Sequence, residues 1–323
     1  MTTIMVTSAG RRRYVLEELT KFSRPGDLVI AADMNPLAPS LATPGVLPAV
    51  IEGDDLHQRT EHIRKIAKEA AVDALLSLHD YEAIELSRIA PDLASSGCLF
   101  IGPSVEASRI SLDKFALASH LEAIDRSLTP ATYIDASILD TQANSSPHWV
   151  VKDRWGSASS GLAFVKAESV VHHVRQLTRG TWVAQPLTDG VEYNVDLFRD
   201  NTGSIVGSST KRKWAMRAGE TDSATVLKTP PWEVVDAASR AVEHLEVIGN
   251  VDVDVILSDN GAPAVIDVNP RFGGGYAFSA VAGYRAAEAV WQLARREPVS
   301  PLRPEREVTA SKHVAVAEVH IPR

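Results

Sequence analysis

The stretch Gly249–Gly275, GNVDVDVILSDNGAPAVIDVNPRFGGG, restricts the fold more than any other part of the chain. Asn260-Gly261 between two alternating runs is the strongest short-range hairpin signal, and a two-residue type I′ turn there joins strands over 250–259 and 262–269. That register sets Asp254 opposite Asp267 and Asp252 opposite Asn269, with all four side chains on one face. Carboxylates opposed at a Cβ separation of roughly 4.5–5.5 Å repel each other unless a cation lies between them. Oxygen-only donors suit Mg²⁺, which keeps some of its waters and shares substrate phosphates. A four-residue turn would instead oppose Asp252 to Asp267 on the same face, whereas a three-residue loop would break the arrangement. A solvated face on an edge hairpin is the plainer alternative. Arg271, just past the strand, adds a fixed cation for phosphate or carboxylate, and Gly273, Gly274 and Gly275 free backbone donors beside it.

The first third alternates between strand and helix patterns. Strands are expected at 3–7, 28–32, 72–78 and 99–101, helices at 14–22, 56–71 and 82–90, and a Pro-rich loop at 35–48. Such spacing implies parallel βαβ units in a doubly wound sheet over residues 1–106. Gly10 and Asp33 invite a dinucleotide reading, but G-x-G-x-x-G is incomplete, so a cap by Thr7 or Ser8 with Gly10 in a tight turn is the simpler one. Arg11, Arg12 and Arg13 near the following helix start are exposed, or receive an anion. Asp80 is expected to cap the next helix, beside His79 and Glu82 at the carboxyl edge of the sheet.

Ser111 is expected to cap a helix running to about Ala123, with Lys114 in its first turn. A strand at 148–152, ending in Lys152, precedes a loop of small and hydroxyl residues to Gly161, whose backbone can close on phosphate oxygens. No Gly-Lys-Ser/Thr opens a helix there, which excludes a Walker-type enzyme. An apolar strand at 182–187 kinks at Pro186 and can hold a flat base; Glu192, with Asn194 and Asp196 on its face, can accept from ribose hydroxyls. Lys211, Arg212 and Lys213 form a basic cluster or a solvated strand face. A helix at 284–296 buries Trp291 and stops at Pro298, and 313–321 alternates as a closing strand. His172, His173 and His313 lack partners at metal spacing.

With 33 basic and 41 acidic residues the formal charge is -8, which argues against nucleic acid or an anionic membrane as partner. A single cysteine, Cys98, makes no internal disulfide, and the N-terminus lacks the order of a secretory signal. A cytoplasmic setting is expected. No apolar stretch approaches a membrane span.

Asp267-Val-Asn-Pro-Arg271 followed by Phe-Gly-Gly-Gly resembles the acid-x-Asn-Pro-Arg element of the ATP-grasp superfamily, at the end of a hairpin with a second acid on the partner strand. The fold implied is α/β, an ATP-grasp fold preceded by a Rossmann-like parallel α/β domain. Its expected parts are a pre-ATP-grasp domain at 1–106, a central and lid subdomain at 107–188 and a C-terminal subdomain at 189–323. Thr7-Ser-Ala-Gly-Arg-Arg12, Arg217-Ala-Gly-Glu-Thr221 and Asn269–Gly275 are similar to the branch related to carbamoyl-phosphate synthase large subunits, as single-module ligases. The metal acid is Asp267 where Glu is usual, and Asp153 stands where Pro is common.

The resemblance implies that Asp254, Asp267 and Asn269 hold Mg²⁺, with Mn²⁺ as an alternative. It implies that Lys114 and Lys152 contact ATP phosphates and that Ser157, Ser159, Ser160 and Gly161 belong to the phosphate loop. Gln185, Pro186 and Leu187 would hold adenine and Glu192 the ribose. Arg271 and Arg217, with Gly273 and Gly274, would position the acyl donor and its phosphate, and Lys152 would offset charge on the phosphoryl group. The loop from Trp155 to Gly161 is expected to close over the acyl phosphate. The implied reaction joins a small carboxylate to an amine, of amino-acid type, through an acyl phosphate with release of ADP and phosphate. The alternatives are carbamate or carboxyphosphate formation without an amide product, and a non-catalytic nucleotide-binding subunit. Homodimerisation stays open.

Overall fold

The computed structural model describes residues 1–156 and 161–319. Three sheets organise it. In the first, β1 (Thr3–Thr7), β2 (Leu28–Asp33), β3 (Leu47–Val50), β4 (Ala74–Ser77) and β5 (Leu99–Phe100) are all parallel, in the order β3-β2-β1-β4-β5. The edge strand β3 begins inside the stretch expected to be a loop; four residues between prolines and polar turns are too few for alternation to register.

Both faces of this sheet are covered, which is why its strands read as unbroken apolar runs. Ile4 and Val6 pack with Val15, Leu16 and Leu19 of the helix Arg13–Lys21, whereas Met5 and Leu75 pack with Ile63 and Leu86 of the helices Leu56–Glu69 and Asp80–Arg88. The helix Ala286–Ala294 returns from the far end of the chain to complete the first layer. Its buried Trp291 donates from Nε1 to the Leu19 carbonyl at 2.8 Å.

The expected helix caps fall elsewhere. Thr7 and Ser8 give their hydroxyls to the buried carboxylate of Glu82, with Ser77 as a third donor. The helix Arg13–Lys21 starts at Arg12 with no side-chain cap. Asp33 accepts from the Gly10 and Asn35 amides, each at 2.9 Å, so its carboxylate closes the β1 turn and is not offered to a ribose. His79, not Asp80, caps the helix Asp80–Arg88 by accepting from the Glu82 amide at 3.3 Å. Ser111 lies inside a helix, Val105–Leu112, capped by Ser104; Asp113 then caps the helix Lys114–Ile124. Asp113 is the better N-cap because its carboxylate reaches two amides, those of Phe115 and Ala116.

The second sheet is a small antiparallel one, β7-β6-β8, formed by β6 (His148–Asp153), β7 (Ala163–Lys166) and β8 (Trp182–Pro186). The third has six antiparallel strands: β9 (Val191–Arg199), β10 (Ile205–Arg217), β11 (Glu220–Leu227), β12 (Gly249–Leu257), β13 (Pro263–Asn269) and β14 (Val308–Ser311), in the order β13-β12-β9-β10-β11-β14. Alternation divides its faces. Val195, Leu197, Val251, Val253, Val265 and Val268 pack under the helix Trp232–Glu243, so the opposite face carries the polar residues. The strand closing this sheet is Val308–Ser311 and not the later stretch expected; Val314 and Val316 are 84% and 97% exposed, and residues 320–323 lie outside the described ones.

Candidate functional site

The polar face of the six-stranded sheet floors a cavity of about 650 Å³. The small sheet stands on one side of it and the carboxyl edge of the parallel sheet on the other, so its lining includes Arg12, Asp80, Lys114, Lys152, Glu192 and Arg271.

The hairpin at the floor reaches the expected register by an unexpected route. Its loop has three residues, Asp259, Asn260 and Gly261, with Gly261 at φ +83° and the Ser258 amide donating to the Ala262 carbonyl at 3.0 Å. Leu257 pairs with Pro263 and Val255 with Val265, one residue out of the register of a two-residue turn. A bulge then leaves Ile266 without a partner and restores Asp254 opposite Asp267 and Asp252 opposite Asn269. A three-residue loop alone would have broken the acidic arrangement; the bulge repairs it.

The four side chains have different surroundings. Asp254 Oδ1 accepts from Asn194 Nδ2 at 2.7 Å and lies 2.8 Å from Lys213 Nζ. Asp252 is buried beneath Gly273, accepts from the same Asn194 amide at 2.7 Å, and is pushed up to about 7 by burial, with Asp254 and Asp196 adding to the rise. Asn269 Nδ2 donates to Asp267 at 3.3 Å. Asn194 Oδ1 is buried with no hydrogen-bond partner among the described residues. Asp254 and Asp267 face each other with carboxylate oxygens, and Asn269 lies alongside with its Oδ1 on Arg271 and its Nδ2 on Asp267.

Cations surround these acids at three heights. Lys152, reaching in from β6, donates to the Ile266 carbonyl at 3.4 Å, and burial lowers its ammonium to about 8 despite the opposing pull of Asp267. Lys213 bridges Glu192 at 2.6 Å and Asp254 at 2.8 Å, and these partners raise its affinity for the proton against the cost of burial. Below them Lys211 is fully buried against Asp196 and Ser279. Arg212 points to the other face and stacks on Trp214 at 4.1 Å. The basic cluster is therefore neither a patch nor a solvated face, and period two along β10 is the signal that separates its members.

Arg271 is held across the domain boundary. Its Nη2 donates to Asp80 Oδ2 at 2.9 Å, its Nε lies 2.8 Å from Oδ1, and Nη2 also reaches Asn269 Oδ1 at 3.2 Å. The guanidinium holds the Asp80 carboxyl below its ordinary value although burial opposes this. Sequence reasoning gave Asp80 a cap and missed this pairing, which joins residues 191 positions apart. Arg217 is not brought to the cavity: its side chain is 70% exposed at the β10–β11 turn and pairs with Asp222 at 3.5 Å.

Among the expected nucleotide contacts, Lys114 lines the cavity and donates to the Gly156 carbonyl. Gln185, Pro186, Leu187 and Glu192 line it too; the Gln185 side chain donates to Thr132 at 2.8 Å. Gly161 has φ +65°, and a side chain there would run into the Asp153 carboxylate. Ser157, Ser159 and Ser160 lie outside the described residues, and with them most of the expected closing loop. Gly273 and Gly274 stand over Asp252 and Glu220.

The sequence matches the ATP-grasp domain family over residues 111–275 and, ahead of it, the PylC-like N-terminal domain family over residues 4–101. No curated protein sequence matches the chain. Among solved structures it is similar to N5-carboxyaminoimidazole ribonucleotide synthetase from Thermotoga maritima, with TM-score 0.72 and 17% identity over 96% of this chain and 80% of that one. The N5-carboxyaminoimidazole synthetase from Staphylococcus aureus complexed with ADP gives TM-score 0.76 and 14% identity over 95% and 81% of the two chains. L-amino acid ligase from Bacillus licheniformis gives TM-score 0.73 and 18% identity over 95% and 78%. At these identities the likeness is one of fold. The domain match, spanning more than half of the chain and ending on the Asn-Pro-Arg and glycine element that floors the cavity, shows that this chain belongs to the ATP-grasp family.

Proposed function

We propose that the protein is an ATP-dependent, ADP-forming ligase that joins a small carboxylate to an amine through an acyl phosphate. The observation that carries this reading is the opposed pair Asp254 and Asp267, with Asn269 and Arg271 beside it and Lys152 facing it in one cavity. Nucleotide binding alone has no use for such a concentration of charge.

Oxygen donors of this kind fit Mg²⁺, and Asp254, Asp267 and Asn269 would hold it. Among the described residues no three His, Cys, Asp or Glu side chains are grouped so as to hold an ion by themselves, so phosphate oxygens and water would complete its shell. When bound, the ion supplies charge neutralisation at the β- and γ-phosphates.

The chain's own groups do the rest. Lys152 and Lys114 approach the phosphates, and Gln185–Leu187 and Glu192 line the end of the cavity suited to adenosine. Lys213 bridges Glu192 and Asp254 and holds both carboxylates in place. Arg271 offers its guanidinium to the substrate carboxylate and then to the acyl phosphate, in the place Asp80 now takes. Displacement of phosphate by the amine needs no protein nucleophile.

ADP and phosphate release from the purified protein with Mg-ATP, across a panel of carboxylates and amines singly and in pairs, tests the reading. Release that requires both partners, with amide product by mass and with loss in Asp267→Ala, is expected. Release with a carboxylate alone and no amide, or no release with any pair, would overturn it.

A further inference from the structure

The first turn of the helix Asp80–Arg88 holds two walls of the cavity at once. At its start Asp80 lies along the Nε and Nη2 side of Arg271, just past the end of β13. One residue on, the Tyr81 hydroxyl donates to the Trp155 carbonyl at 2.8 Å, 74 positions away in the loop that follows β6. The anion-binding guanidinium and the loop beside the nucleotide contacts are therefore joined through two adjacent side chains of the parallel-sheet domain.

Each end of this link is fastened where a ligand has to enter. The Arg271 side chain is 10% exposed, with Nη2 also on Asn269 and Nη1 on the Phe272 carbonyl at 3.3 Å, so an anion reaches the guanidinium only as Asp80 withdraws. At the other end the Lys114 ammonium donates to the Gly156 carbonyl. Arg154, gripped by Asp113 at 2.6 and 2.7 Å, anchors the loop on its β6 side. A phosphate that draws the Lys114 ammonium into the cavity takes it from Gly156 and loosens the chain beyond Arg154. Tyr81 and Trp155 are each 41% exposed, so water replaces the bond between them at small cost when either end moves.

We infer that the Tyr81–Trp155 hydrogen bond is a strap between the two ends of the cavity, broken when either end is filled, through which nucleotide and anion favour each other's binding. Tyr81 is a positioning residue and touches neither ligand. The strap deepens the ligase reading above and rests on it for one point, that Lys114 meets phosphate and Arg271 the anion. The first ligand to arrive works against the bond, and the second finds it already broken. The two are then coupled by the worth of that bond, about fivefold for one net hydrogen bond, and the factor is the same in both directions. Such coupling suits a reaction in which ATP must not be committed before its carboxylate is in place.

Calorimetric titration with Mg-ADP and inorganic phosphate, each alone and each with the other at saturation, tests the strap in the wild type and in Tyr81→Phe. In the wild type, phosphate should tighten Mg-ADP about fivefold, and Mg-ADP should tighten phosphate by the same factor. Tyr81→Phe has no bond to break. Each ligand should bind the empty variant about fivefold more tightly than it binds the empty wild type, while the second ligand binds as it does to the loaded wild type, so that the coupling falls to about one. A gain in affinity for the first ligand is a change that misfolding or a loosened loop does not produce. Coupling that survives in Tyr81→Phe, coupling lost through weaker binding of the second ligand, independent binding in the wild type, or binding of neither ligand would overturn the strap. The ligase reading fails separately. Amide formation by a protein that binds Mg-ADP and phosphate independently sinks the strap and leaves that reading; coupled binding without ADP release from any carboxylate and amine pair does the reverse.

Discussion

The Lys152 ammonium donates to the backbone carbonyl of Ile266, the residue that the β13 bulge leaves without a partner on β12. One extra residue therefore does two things. It returns the acids to opposition after an odd-numbered loop, and it frees a carbonyl that fixes a buried cation above them. A ladder in perfect register would have turned that carbonyl into an inter-strand bond.

Lys152 has been placed at the cost of stability. Burial lowers its proton affinity from the ordinary 10.5 to about 8, so the folded chain binds that proton less tightly than the unfolded chain. The penalty is complete below pH 8 and fades as the pH rises through 10.5, above which both states are neutral. Lys152→Met should raise the Tm of the nucleotide-free protein at pH 7 by about 2–4 °C, with the gap closing across that window. The same variant should lose roughly a hundredfold or more in ADP-forming activity. Thermal scans from pH 7 to 10.5 check the first claim; a Tm lowered at pH 7 would contradict it.

The parallel sheet was legible because its strands are buried on both faces, and the hairpin because Asn-Gly and the alternating acids mark it. What stayed hidden depends on pairings between distant segments. Nothing local to Asp80 announces Arg271, and nothing local to Glu82 announces the hydroxyls of Thr7, Ser8 and Ser77. The bulge at Ile266 was hidden for another reason, since it has no residue signature and shows only as a change of register. Lys213 could have been separated from Arg212 by strand alternation. Its choice of Glu192 and Asp254 as partners needed the sheet order β12-β9-β10.

Gly273 and Gly274 differ in what a side chain would strike. A Cβ at Gly273 would stand 2.2 Å from Asp252 Cγ, on a short carboxylate tied to Asn194. At Gly274 it would meet Glu220 Cδ at 2.9 Å, near the end of a longer, partly exposed side chain that can turn aside. Gly273→Ala should therefore lose on the order of 2 kcal/mol or more of stability and most activity, and Gly274→Ala under about 1 kcal/mol. Urea unfolding of the two variants side by side gives the ordering; equal losses would contradict it.

Asp80→Asn leaves the Arg271 guanidinium buried beside a neutral amide. Loss of one partner from a pair this enclosed costs on the order of 3 kcal/mol. The folded Asp80 carboxyl titrates below its ordinary 3.8, so the pair's contribution is complete above pH 3.8 and fades as the pH falls through the lowered value. Denaturant midpoints of wild type and variant should differ by a constant amount from pH 7 to about 4 and converge below. A gap that persists at pH 2 would mean that packing, not charge, is what Asp80 supplies.

Asp252 has the opposite sign. Burial, aided by Asp254 and Asp196, raises it from 3.8 to about 7, so in the metal-free protein the folded chain keeps a proton that the unfolded chain has already released. Stability is lost progressively as pH rises from 3.8 to 7 and stays at the lower level above that. Asp252→Asn preserves the shape and an acceptor for the Asn194 amide while removing the charge. Its Tm should match wild type near pH 4, exceed it increasingly through pH 5–7 and hold a constant lead at pH 8, on the order of 2–4 kcal/mol in stability. Activity need not follow stability, because a neutral amide under Gly273 removes one negative charge from the field that Arg271 and Lys211 feel. A variant no more stable than wild type at pH 8 would mean that the carboxylate beneath Gly273 is already compensated.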